Sequence, residues 1–200
     1  MISILLKRAF SLLLVVLFAM TSAAQEQLTK FDVFHNGNMV GIAQLYQKRS
    51  GDGLYMKMTT DIKVRMMMEI SVKIIEESRF VQGKLIHSQL NRTVNGKEKA
   101  NRQTNAIVNG YQTIAEGKQG TISQPRIDYN LIQMYQTEPV NRSRVYSDNF
   151  QTFLTITQLP GHVYRINLPD GNYNEFTYSK GVCTRVSINS SMYTIQLKRV

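Results

Sequence analysis

Five methionines crowd one stretch of the chain: Met56, Met58, Met66, Met67 and Met68. On an extended strand Met-x-Met puts both thioethers on one face, and soft sulfur is what copper(I) prefers. The same side chain also fills irregular apolar space. A copper site needs three converging ligands, and this spacing does not show their convergence, so a deformable apolar lining is the better account. His35, His87 and His162 each stand alone, without a second His, Cys or carboxylate at zinc-binding spacing. They read as turn or surface histidines, and neither a metal nor a cofactor is expected. Cys183, the single cysteine, sits between Val182 and Thr184 on a strand, with only Arg185 as a neighbouring cation. It reads as an inert buried thiol.

Other reaction centres find no support. There is no Gly-x-Ser-x-Gly elbow. Gly110 to Lys118 contains a Gly-Lys pair, but at the wrong spacing for a phosphate loop and with Gln119 where a Ser or Thr would hold magnesium. Glu76 and Glu77 are adjacent, which on a strand sends them to opposite faces. No catalytic residue is assigned and the chain is expected not to be an enzyme.

The elements that must position these residues are strands. Turn signals recur at His35-Asn36-Gly37-Asn38, Ser50-Gly51-Asp52-Gly53, Val81-Gln82-Gly83-Lys84, Val94-Asn95-Gly96-Lys97 and Val108-Asn109-Gly110-Tyr111. They resume at Leu159 to His162, Pro169 to Asn172, Ser179 to Val182 and Asn189 to Ser191. Asn-Gly and Asp-Gly favour tight hairpins because both central residues take positive φ. The segments between are rich in Val, Ile, Thr, Tyr and Phe. The expected fold class is therefore all-β: an antiparallel meander of about ten strands.

One segment is longer. From Leu54 to Ile74 the even positions are apolar except Thr60, while the odd ones carry Lys57, Asp61, Lys63, Arg65, Glu69 and Lys73. Unchanged parity fits either one continuous strand or a three-residue turn; the absence of Gly, Pro and Asn favours continuity. Such a strand would run roughly 70 Å at 3.3 Å per residue, against about 40 Å for a compact domain of this size. The sheet must then curl into a barrel or half-barrel with an apolar concave face. Glu98 to Asn105 is polar on both faces and reads as an exposed extension. One short helix is expected near 128–135, with Asp128 as cap and Pro139 limiting its extension, plugging or covering an open barrel end.

Lys7 and Arg8 precede an uncharged stretch, Ala9 to Met20, and then Thr21-Ser22-Ala23-Ala24. Basic, apolar and small-residue regions follow in secretory order, so residues 1–24 are expected to be a signal peptide and 25–200 a single β-rich domain, periplasmic or secreted. The apolar stretch is shorter than the roughly 20 residues a permanent anchor needs. The formal net charge of +10 becomes +8 without Lys7 and Arg8. That charge is scattered rather than striped, which argues against nucleic acid and suits plain solubility. A membrane-spanning β-barrel is disfavoured by the lack of Trp.

Phe31 to Gly41, the long alternating segment, Ile127-Asp128-Tyr129 through Glu138-Pro139, and Tyr164 to Asn172 together resemble an uncharacterised family, a domain of unknown function of exported β-rich proteins from Gram-negative bacteria. The resemblance implies a curled antiparallel sheet, broadly similar to periplasmic lipoprotein carriers and other lipid-binding half-barrels, and implies no catalytic residues. The expected function is a non-enzymatic binding protein for an apolar or amphiphilic, lipid-like ligand. Its candidate ligand-binding residues are Met56, Met58, Ile62, Val64, Met66, Met68 and Ile70. The alternative is a structural or protein-interaction module of the cell envelope whose apolar face is simply its core, with partners docking on edge strands.

Overall fold

The computed structural model describes residues 24–65 and 69–200. The expected signal region falls on residues 1–23 and Met66, Met67 and Met68 on the other undescribed segment, so these lie outside the described residues. The first meander comprises β1 (Gln25–His35), β2 (Asn38–Ser50), β3 (Gly53–Arg65), β4 (Glu69–Val81), β5 (Lys84–Val94), β6 (Lys97–Ile107), β7 (Gly110–Ala115) and β8 (Lys118–Ile122). A long connection containing α1 (Leu131–Met134) leads to the second: β9 (Arg144–Ser147), β10 (Thr152–Leu159), β11 (Val163–Asn167), β12 (Tyr173–Ser179), β13 (Val182–Asn189) and β14 (Thr194–Arg199). All fourteen strands belong to one sheet, with order β8 to β1, then β14 back to β9. The meanders meet where β1 pairs β14, Val33 opposite Leu197.

The all-β reading is correct, but fourteen strands replace the expected ten or so. Hairpin chemistry accounts for the difference. At Asn36-Gly37 and Asn95-Gly96 both central residues have positive φ, 50° and 80°, then 49° and 76°, as a type I′ turn requires. Glu116-Gly117 adopts the same geometry, at 46° and 81°, with a residue far weaker as a turn signal than Asn or Asp, and so separates β7 from β8. The continuous strand from Leu54 to Ile74 is also corrected. β3 and β4 form a hairpin with Val64 opposite Ile70 and Arg65 opposite Glu69. A connection of three residues pairs even with even positions, so the alternation of a long strand and that of this hairpin are identical in sequence.

Residues 98–105 are not an exposed extension. Ala100 and Thr104 are buried and pair with Arg92 and Ser88 of β5, so β6 closes over the interior with a small-residue and polar inner face. The helix is shorter than expected and starts later: Asn130 precedes it, its N–H donating to Gln133 Oε1 at 3.0 Å. Asp128 instead stays exposed, ion-paired with Arg142 at 3.2 Å. This connection packs against the inner face of the sheet, as a plug does. Ile127, Ile132 and Met134 are fully buried, Tyr178 Oη donates to the Met134 carbonyl at 2.6 Å, and Tyr135 meets Phe31 and Phe176 edge-on at 5.9 and 5.3 Å. Each large apolar side chain buried here contributes roughly 1.5–3 kcal/mol.

Side chains join the sheet's outer reaches. Gln151 Nε2 donates to the carbonyls of Gln103 and Ile114 at 2.8 and 3.1 Å, and Arg102 Nε donates to Asn149 O at 3.1 Å. The turn between β9 and β10 is thereby fastened onto β6 and β7 without a backbone ladder.

Candidate functional site

Curling leaves a cavity of about 410 Å³ between the two meanders, within the range of small-molecule sites. One wall is the β3–β4 hairpin, where Ile62, Val64, Ile70, Val72 and Ile74 all point inward because they share one parity. The facing wall comes from the second meander, with Phe176, Ile188 and Ile195, and Tyr135 and Leu131 of the internal connection complete it.

The register orders the inner face into rungs. Val64 and Ile70 form the first, Ile62 and Val72 the next, then Thr60, Ile74, Arg92 and Ala100. Below them lie Met58, Glu76, Leu90 and Arg102, and then Met56, Ser78, Ser88 and Thr104. The cavity is thus apolar along the hairpin and becomes polar at Arg92 and Glu76, which both line it.

A hydroxyl rung lies one step beyond the cavity's lining. Ser78, Ser88, Thr104 and Thr113 occupy register-paired positions on four adjacent strands, all buried. Buried hydroxyls need partners, and Ser78, Ser88 and Thr104 have them. Ser88 Oγ donates to Asp148 Oδ1, and Asn130 Nδ2 donates to Ser78 Oγ at 2.7 Å and Asp148 Oδ2 at 2.9 Å. Thr104 Oγ1 and Tyr146 Oη are 2.8 Å apart. Burial pushes the Asp148 carboxyl up to about 6 against the pull of these donors. Burial, then the neighbouring Asp148 charge, pushes Glu76 up to about 7, with Arg92 opposing. Glu76 keeps partial exposure and lines the cavity.

Of the candidate ligand-binding residues, Ile62, Val64 and Ile70 line this cavity. Met56 and Met58 share the same inner face but are packed in the core, 1% and 4% exposed; Met56 also borders a smaller cavity of about 190 Å³ beside Tyr129 and Glu138. Met66 and Met68 lie outside the described residues. The adjacent glutamates do diverge: Glu77 pairs outside with Lys57 at 2.8 Å while Glu76 turns inward. Sequence reading named Glu76 only as diverging from Glu77, and missed Arg92, Asp148 and the hydroxyl rung. For Arg92 and the rung the signal was parity carried through each hairpin, readable only once the turns fix the register; Asp148, in the turn after β9, carried no such signal.

The histidines stay apart. His87 bonds Asn105 Oδ1 at 2.7 Å, His162 meets Glu138 at 2.8 Å, and His35 Nδ1 lies 3.2 Å from the Thr194 carbonyl. Among the described residues no three His, Cys, Asp or Glu side chains converge as a metal site would require. Cys183 is fully buried, and burial pushes its thiol up to about 12. No helix among the described residues is long and apolar enough to cross a membrane.

Comparison with known proteins sets this architecture in a group. No curated protein matches the chain. A solved structure, the β-barrel-like protein of the domain of unknown function DUF1849 from Brucella abortus, has a similar fold with a TM-score of 0.58 at 11% identity, covering 88% of this chain and 96% of that one. The family model for the domain of unknown function DUF6134 matches residues 31–200, nearly all of the curled sheet, and the chain belongs to that family.

Proposed function

We propose that this protein is a non-enzymatic binding protein of the cell envelope that holds an apolar or amphiphilic ligand inside its curled sheet. The observation that supports this reading is the cavity of about 410 Å³, walled by Ile62, Val64, Ile70, Val72 and Ile74 and floored by polar groups. An apolar wall with a few convergent polar groups is the general form of a small-molecule site. The secretory pattern of residues 1–24 supports an envelope location. A catalytic reading has less behind it: the buried carboxylate Asp148 is already committed to Ser88 and Asn130, and the one thiol is held protonated.

The test is solvent extraction of protein purified from a Gram-negative host, with mass spectrometry of the extract, alongside lauryl alcohol binding by calorimetry. Wild-type protein is expected to carry an extractable amphiphile and to bind the alcohol. Val72→Trp, which fills the cavity, is expected to fold and to lose both. Protein that carries nothing and binds nothing overturns the reading in favour of an interaction module, for which β8 is the exposed edge.

A further inference from the structure

Resting on that reading, we propose that the ligand is a single-chain amphiphile with a carboxylate head, the head held at Arg92 and the chain lying along Ile62, Val64, Ile70 and Val72.

The volume suits one chain. A cavity of about 410 Å³ lies toward the small end of the range for small-molecule sites, which fits a single hydrocarbon chain better than two. Orientation follows from the rungs. The two rungs beyond Arg92 on the β3–β4 hairpin present only Val64, Ile70, Ile62 and Val72, so a chain finds its apolar contacts there and its polar end meets Arg92.

Charge selects the head. Arg92 lines the cavity and takes part in none of the ion pairs among the described residues. A guanidinium stays charged at any working pH and presents a planar fork of donors matched to a carboxylate. Arg102, one rung deeper on β6, adds a second positive charge to the same region, although its own guanidinium is engaged by Glu116 and Asn149 O. The acidic group facing Arg92 is Glu76, whose carboxyl burial pushes up to about 7; Asp148, which neighbours Glu76, is bonded to Ser88 and Asn130. One free guanidinium beside a carboxyl suits a monoanion better than a dianionic phosphate, which that carboxyl would repel. Asn174, from the opposite wall, carries a buried amide oxygen without a partner.

The experiment compares laurate, lauryl alcohol, lauryl phosphate and lauryltrimethylammonium by calorimetry at neutral pH. Hydrogen bonds to charged groups contribute enough for laurate to bind at least about tenfold tighter than the alcohol. Arg92→Gln should erase that preference while leaving alcohol affinity within about twofold, and Arg92→Lys should retain part of it. Arg79→Gln, on the exposed face of β4, should change nothing. Matching melting curves establish that each variant folds. Alcohol binding without a laurate preference, tighter binding of the phosphate or the ammonium, or a laurate preference that survives Arg92→Gln overturns the head-group assignment and leaves the cavity reading intact. Failure of all four to bind overturns the cavity reading itself.

Discussion

Replacing Glu76 by Gln should stabilise the protein at alkaline pH and leave it unchanged in mild acid. Burial and Asp148 raise this carboxyl from 4.5 to about 7 in the folded state. Between those values the folded protein binds more protons than the unfolded chain, so wild-type stability falls as pH rises through the window. At 1.36 kcal/mol per pH unit, the loss approaches about 3 kcal/mol above pH 7. Glutamine keeps the shape and does not titrate. Its removal of a charge also relieves Asp148, whose own carboxyl sits at about 6, while the attraction to Arg92 is forfeited, so about 2 to 3 kcal/mol of net gain is expected at pH 8. For a domain of this size each kcal/mol moves the melting temperature by roughly 2–4 °C. The chain has no Trp, so unfolding is followed by far-ultraviolet circular dichroism, in heat and in urea, from pH 4.5 to 8.5. A variant that melts lower than wild type at pH 8, or by the same difference at pH 5 and pH 8, refutes the argument that Glu76 is held in a medium hostile to its charge.

Met58→Lys places an unpaired ammonium where the side chain is 4% exposed, and should cost about 3 kcal/mol or more in urea unfolding; unchanged stability would show that this inner face is wet. Gly41→Ala brings a Cβ against the backbone carbonyl of Asp61 and within 2.9 Å of the Ile62 Cα, so a loss of about 1–3 kcal/mol is expected, whereas a neutral result would mean the β2–β3 contact is looser than described. N-terminal sequencing of exported protein should begin at Gln25, and retention of Met1 to Ala24 would contradict the secretory reading.

The fold was legible where local chemistry decides it. Asn-Gly turns and alternating runs announced hairpins, and the parity of Leu54 to Ile74 gave the correct inner face even though the chain reverses within it, because a three-residue connection does not disturb parity. The strand count suffered where the turn residue was Glu116 rather than Asn or Asp. The site was harder to read. Ile62, Val64 and Ile70 belonged to an apolar row visible in sequence, but Arg92 and Glu76 face inward only through the registers of β4 with β3 and β5. Residues 98–105 looked solvated because polar side chains on both faces normally mean water on both. Here Thr104 finds Tyr146, a partner 42 positions away, and no local pattern encodes that meeting.

The pairing of β1 with β14 has a kinetic consequence. Every other named strand pair joins neighbours in sequence, whereas Phe31 opposite Arg199 closes a loop spanning most of the chain. Loop-closure entropy rises by about 0.6 kcal/mol for each doubling of length, so hairpins zip early and this junction comes last. Each meander can nucleate by itself, but neither buries its inner face until residues 194–199, at the edge of the second, pair with β1 of the first. Folding is therefore expected to show a slow phase reporting that docking, and a chain lacking the final strand to persist as two uncoupled half-sheets with exposed apolar surfaces.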